Sequence, residues 1–423
     1  LSVTALALAL FVAILAVSLW RGVNLGITSG AAVLILASVA SLSSQQVLAA
    51  FPADLCVLIV GVSLLFSHAQ ESGAIDRLIT LSTKLIGSRR YVLPWVGFAL
   101  GLLLTTVGGF PSAIMALVVP LMARLAIAYR INYIAVSVAT VLGAISGGFS
   151  PLSPCGALIR TLTVKAHLHY SPWGLWAVVV AGHLIIAALV VAFYRKEVFV
   201  KHSGRLDLDA AAPRDESTAV TPSASVPYQW ACAAALVALT ASSVLTKINA
   251  GLVAVGLAFL LQLLFRPDEK TILGRVPWSI VILVTGLLLY LGAAEKAGVF
   301  EVLKHALLSL SGPVWGVAAL TYFTAILSNV ESSTVVIVGV AVPLCISLCS
   351  HGAIPLFLGL VAVSMAAATP VMSPVHVGGA LVLGNAPEDR GKVTKTLLLW
   401  AFAVSVLVPA AAVAAAAVHR LAA

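Results

Sequence analysis

Four short polar stretches interrupt apolar segments of this chain. They are "TTVGGFPS" (Thr105–Ser112), "SGGFSPLSP" (Ser146–Pro154), "SNVESST" (Ser328–Thr334) and "TPVMSP" (Thr369–Pro374). Gly108 and Gly109 permit a sharp turn, and Pro111, Pro151, Pro154, Pro370 and Pro374 interrupt helices. The Ser, Thr and Asn residues are the types that cap the half-helices so formed. A half-helix N-terminus presents free N–H groups and a partial positive charge, which suits an anion. Unwound carbonyls and hydroxyls suit a small hard cation such as Na⁺. None of the four stretches contains Lys or Arg, so an anion would be held by helix termini, each contributing roughly 0.3–1 kcal/mol. The candidate anion ligands are Thr105, Thr106, Gly108, Gly109, Ser112, Ser150, Ser153, Ser328, Asn329, Ser332, Ser333, Thr334, Thr369, Ser373 and His376. The candidate ion-coupling set is Glu331, Ser146, Gly147 and Gly148, together with Ser328, Asn329 and Thr369.

Glu331 is the sharpest of these. A carboxylate inside an apolar segment is costly and marks a coupling site by default. It could ligate Na⁺, carry a proton, pair with a Lys or Arg from elsewhere, or do no more than cap a half-helix or reach the cavity rim. Ionised, it would repel an anion, so a cation-linked role suits it better than direct anion binding. His376 could be a ligand, a proton carrier or a packing histidine. His183 reads as a core histidine, and His68 and Gln70 as interfacial residues. Asn24, Asn249, Asp54 and Ser279 read as caps.

The segments that carry these motifs define the fold class. Of 423 residues, 61% are hydrophobic and 9% charged, and apolar runs near bilayer length recur throughout. They do not alternate as barrel strands would. An all-α polytopic membrane protein is expected, in a bacterial inner (plasma) membrane, with the lipid bilayer as its surroundings and no nucleic-acid partner. The net charge of +9 fits Lys and Arg gathered in cytoplasmic loops. The cysteines form no CxxC pair, so neither a disulfide framework nor a metal site is expected; no cofactor is implied beyond Na⁺ or H⁺ as coupling ion. The first apolar run lacks a charged leader and reads as a retained helix. With no HExxH, partnered GxSxG or GxxxxGK[ST] motif, neither an intramembrane enzyme nor a primary pump is expected.

Residues 195–227, charged and then rich in Ser, Pro and Ala, read as a linker between halves 1–194 and 228–423. The halves repeat. "VNLG" at 23–26 corresponds to "INAG" at 248–251, Pro52 to Pro277, Gly61 to Gly286 and Gly73 to Gly298. "VVPLM" at 118–122 corresponds to "AVPLC" at 341–345. Internal duplication of this kind is a transporter signature. Five crossings per half, plus a re-entrant helical hairpin and an interrupted helix, make the two copies inverted. This topology places 18 of the 24 basic residues on one face, which the positive-inside rule makes cytoplasmic. Both termini then lie outside and the linker inside.

The Ser-Asn hairpin tip at Ser328 and Asn329, the interrupted helix after it and the inverted repetition resemble the ion transporter superfamily, which includes divalent anion:sodium symporters. "YRIN" at 129–132 followed by "GGFSPLSPCG" at 147–156 is similar to MatC-type malonate/dicarboxylate carriers. Val330 stands where the symporter tip has Thr, and Thr105 and Thr106 stand where the first tip has Ser-Asn. The resemblance implies a homodimer with a scaffold domain and a mobile transport domain. It also implies elevator-type secondary active transport of a small dicarboxylate, malonate-like or C4, coupled to Na⁺ or H⁺. The alternative is a cation/proton antiporter on the same scaffold, with Glu331 as carrier.

Overall fold

The computed structural model describes residues 2–86, 90–198, 225–246, 248–308, 313–331, 333–349, 354–386 and 390–422. Among these the chain is helical throughout and contains no strand. The first half holds α1 (Val3–Arg21), α2 (Leu25–Val39), α3 (Ser44–Leu48), α4 (Ala53–Glu71), α5 (Ala74–Ile86), α6 (Leu93–Thr106), α7 (Pro111–Ala128), α8 (Tyr133–Gly147), α9 (Pro154–Lys165), α10 (Pro172–Phe193) and α11 (Arg195–Val198). The second holds α12 (Val226–Leu245), α13 (Ala250–Phe265), α14 (Glu269–Gly274), α15 (Trp278–Lys296), α16 (Val299–Leu308), α17 (Pro313–Val330), α18 (Thr334–Cys349), α19 (Leu356–Ala368), α20 (Val377–Gly384) and α21 (Arg390–Ala422). The expected linker loses its first residues to α11 and its last to α12; residues 199–224 lie outside the described segments.

Among the described residues, six helical stretches are long and apolar enough to cross a membrane: Ala53–Glu71, Pro111–Ala128, Pro172–Phe193, Trp278–Lys296, Leu356–Gly384 and Arg390–His419. Others are shorter. At 1.5 Å per residue, α6 with 14 residues and α8 with 15 rise only about 21–23 Å, against about 30 Å of hydrocarbon. Both α6 and α8 end at a polar stretch.

The repeated residues pack across the halves. Asn24 and Asn249 each cap their own helix, accepting from Gly26 N–H and Gly251 N–H at 2.8 Å. Their amide nitrogens reach the other half: Asn24 donates to the Ser279 carbonyl at 2.8 Å, and Asn249 lies 3.5 Å from Asp54. The starts of α2 and α15 therefore meet, as do those of α13 and α4. The end of α3's turn also meets the end of α15, where Lys296 bonds the Gln46 carbonyl. Arg275, just before α15, pairs with Glu71 at the end of α4, so α4 and α15 are antiparallel. It follows that α2 runs opposite to its sequence counterpart α13, and α4 opposite to α15.

Close backbone approach explains the repeated glycines. A Cβ on Gly286 would lie 1.8 Å from the Gly26 carbonyl oxygen, and one on Gly61 would lie 2.5 Å from that of Gly251. Gly73 and Gly298 open the amphipathic helices α5 and α16 with φ of +73° and +75°. These two helices, and α3 and α14, are absent from the sequence reading because their polar faces break up the hydrophobic runs. Pro120 and Pro343 occupy matched places inside α7 and α18.

His68 departs from its expected interfacial place. It is buried, and its Nδ1 lies 2.7 Å from the Tyr228 hydroxyl, because α12 from the second half covers the end of α4. His183 is buried as expected, with Nδ1 3.0 Å from the Val179 carbonyl. All five cysteines are free.

Gly286→Ala should destabilise the protein by about 1–3 kcal/mol through overpacking. Gly256→Ala, where an added Cβ meets nothing within 4 Å, should be neutral or slightly stabilising. Thermal melting of the two variants in detergent checks this; equal melting temperatures would contradict the packing account.

Candidate functional site

Each hairpin tip is fastened to a helix break in its own half. The first tip joins α6 to α7, and Gly108 turns the chain there with φ +103°. The break between α8 and α9 lies against it. Ser150 Oγ donates to the Thr106 carbonyl at 2.8 Å, and Ser153 Oγ donates to the Thr105 carbonyl. Gly147 and Gly148 let the break approach: an added Cβ would meet Thr105 Oγ1 and the Pro111 ring respectively. Thr105 Oγ1 bonds the Gly101 carbonyl and Ser146 Oγ the Leu142 carbonyl, both one turn back. Thr106 Oγ1 is buried with no partner among the described residues.

The second tip joins α17 to α18 and meets the break between α19 and α20. Ser328 Oγ donates to the Ala367 carbonyl at 2.8 Å. Thr369 Oγ1 bonds the Met365 carbonyl, and the Ser373 carbonyl accepts from His376 N–H. Glu331 is buried, and its Oε1 accepts from Ser333 N–H at 2.9 Å. Thr334 Oγ1 lies 3.4 Å from His376 Nε2. His376 is 4% exposed, and its Nδ1 has no partner among the described residues. Ser332 lies outside the described residues.

The two tips and both breaks meet at one cavity of about 220 Å³. The first half contributes Phe110, Pro111 and Ser112 from the tip, and Ile145 and Cys155 from the broken helix. The second contributes Glu331, Ser333, Thr334 and Val335 from its tip, and His376 and Val377 from its break. Three helices begin at this wall: α7 at Pro111, α18 at Thr334 and α20 at Val377. The first residues of all three line a space whose described lining includes no Lys or Arg. The volume lies below the range of drug-sized ligand sites and suits a small solute. Cys155 and Ile280 escaped the sequence reading, since neither differs in type from ordinary packing residues.

Of the sequence candidates, the structure brings Ser112, Glu331, Ser333, Thr334 and His376 to this cavity. Gly108 lines a neighbouring cavity of about 280 Å³, which shares Phe110, Ser112 and Ile280 with the first. The hydroxyls of Ser150, Ser153 and Ser328 are engaged in fastening tips to breaks, and Gly147, Gly148 and Gly109 in close packing. Asn329 turns away, donating to Ser405 on α21 at 2.8 Å and to the Ala325 carbonyl. Helix α17 continues to Val330, so Ser328 and Asn329 belong to its last turn rather than to an unwound tip.

A larger cavity of about 550 Å³ lies apart from the breaks, lined by Lys165, Glu295, Lys296 and Glu301. Its two ammonium groups already bond the Ala50 and Gln46 carbonyls, and its charges balance. Volume alone does not make it the site; the smaller cavity is where the interrupted elements of both halves converge.

Ser150→Ala and Ser153→Ala should each cost about 1 kcal/mol by losing one tip-to-break hydrogen bond. Ser112→Ala, facing the cavity, should change stability by less than about 0.5 kcal/mol. Melting temperatures of the three variants in detergent check the distinction.

The fold and site can be set beside known proteins. The family model described as "Dicarboxylate carrier protein MatC N-terminus" matches residues 1–148 and 227–370, a stretch of each half. The chain is similar in fold to the YdaH transporter of Alcanivorax borkumensis, with a TM-score of 0.59 at 14% identity, covering 87% of this chain and 86% of that one. That crystal structure is described as revealing an unusual topology. No curated relative matches the chain. The matched model spans well over half of the sequence, and with the apolar helices it makes this an integral membrane carrier rather than an enzyme: the chain belongs to the MatC dicarboxylate carrier family.

Proposed function

We propose that this carrier moves a small dicarboxylate, malonate-like or C4, by secondary active transport, with the substrate held in the cavity between the two hairpin tips. One observation carries the reading: three helix N-termini face a small cavity whose described lining includes Glu331 and His376 but no Lys or Arg. Helix termini bind an anion without a fixed cation, so affinity stays modest and release remains possible. His376, whose Nδ1 has no partner among the described residues, lines this cavity and can meet a carboxylate.

Glu331 sets the coupling. An ionised Glu331 in the same small space repels a dianion, and at close range in a poorly solvated site this repulsion is strong. A proton or Na⁺ at Glu331 removes it. Cation and substrate then enter together, and neither is stable there alone. Inverted halves, a homodimeric scaffold and elevator-type movement of the tip-bearing part complete the reading, with both termini outside and residues 195–227 in the cytoplasm. The presence of a carboxylate in the cavity also favours the second reading, cation/proton exchange with Glu331 as carrier.

Reconstituted protein should take up labelled malonate or succinate against a gradient when H⁺ or Na⁺ is imposed. Glu331→Gln mimics the cation-loaded residue. It should retain dicarboxylate exchange across the membrane but lose cation-driven accumulation by at least about tenfold, the effect of roughly 1.4 kcal/mol of lost coupling. No saturable uptake of any dicarboxylate, with cation/proton exchange instead, would replace the first reading by the second.

A further inference from the structure

The cavity beside the candidate site holds a basic residue that the proposed function does not use. Its lining includes Ser63, Ser67 and Gln70 from α4, Ser112 from the first tip, and Arg275 and Ser279 from the approach to α15. It shares the wall formed by Phe110, Ser112 and Ile280 with the candidate site. Arg275 is bound to Glu71 at 2.8 Å and to the Ser67 carbonyl at 3.3 Å. Both side chains of the ion pair are partly exposed, at 34% and 23%. Arg275 also acts on Asp76, whose carboxyl burial raises and Arg275 lowers.

We infer that Arg275 is a transit site for the substrate's carboxylate at the mouth of the pathway, reached by exchange with Glu71. The inference rests on the dicarboxylate reading above. Its physical basis is the equivalence of the two partners. A substrate carboxylate offers the guanidinium the same two-oxygen geometry that Glu71 does. A partly exposed ion pair is held weakly, so one carboxylate can replace another at low cost. The Ser67 carbonyl keeps the guanidinium at the mouth while Glu71 lets go. Phe110, Ser112 and Ile280 line both this cavity and the inner one, where the helix termini lie. Arg275 lies on the face that the excess of Lys and Arg marks as cytoplasmic, so the transit site serves that face alone.

The test compares Arg275→Gln and Glu71→Gln in inside-out and right-side-out membrane vesicles carrying the full chain, with labelled succinate and malonate as probes. Arg275→Gln should raise KM at the cytoplasmic face about tenfold, the loss of one charge-assisted hydrogen bond, and leave KM at the outer face unchanged. Glu71→Gln should lower the cytoplasmic KM, because it removes the competing carboxylate. A purely structural ion pair would make both variants worse together, and that outcome overturns the inference, as does an unchanged KM in Arg275→Gln. If Arg275→Gln fails to reach the membrane, Glu71→Gln decides alone: a cytoplasmic KM that does not fall overturns the proposal. Absence of dicarboxylate uptake by the unaltered protein at either face overturns the dicarboxylate reading and this inference with it, whereas uptake with unaltered KM in the variants overturns this inference only.

Discussion

Backbone polar groups that leave a helix inside hydrocarbon must find partners, and this one constraint organises the molecule. Each half breaks two apolar helical segments. The exposed groups are then covered by the other break of the same half. Ser150 and Ser153 reach across to the Thr105 and Thr106 carbonyls, and Ser328 to that of Ala367. The residue types that would have made a weak binding site from one tip alone are spent on holding tip to break. Among the described residues, His376 Nδ1 and Thr106 Oγ1 have no partner and mark where the covering is incomplete.

The electrostatics follow from that arrangement. Helix ends that are held in place supply partial positive charge without a mobile cation. Lys and Arg stay at the periphery, where Arg275 pairs with Glu71 and Lys296 bonds Gln46. A site built this way can hold an anion and still release it. In the proposed function, Glu331 is the opposing charge through which occupancy depends on a second ion. The glycine contacts between α2 and α15 and between α4 and α13 give the halves a rigid joint around which such a site can be presented.

The architecture was legible because apolar runs and Gly/Pro interruptions are written in residue type. So was the duplication: Asn24 and Asn249 repeat because each must cap its own helix and bridge to the other half. The cavity was half legible. Glu331 and His376 stand out as polar residues in apolar surroundings, and both line it. The hydroxyls of Ser150, Ser153 and Ser328 look identical in sequence to substrate ligands, yet bond backbone carbonyls, because sequence does not say which way a side chain turns. Asn329 was misdirected for the same reason, turning to Ser405 more than seventy positions away. Arg275 was hidden by its loop position, where a basic residue is ordinary. His68 was placed at an interface because the helix that buries it, α12, lies far along the chain.

The central claim is that a dicarboxylate sits between the two tips and is held by helix termini. Cryo-electron microscopy of the protein in lipid nanodiscs with saturating malonate tests it most directly. The account predicts density between Ser112 of the first tip and Thr334 and His376 of the second. Density beside Lys165 and Lys296 in the larger cavity, with the space between the tips empty, would contradict it.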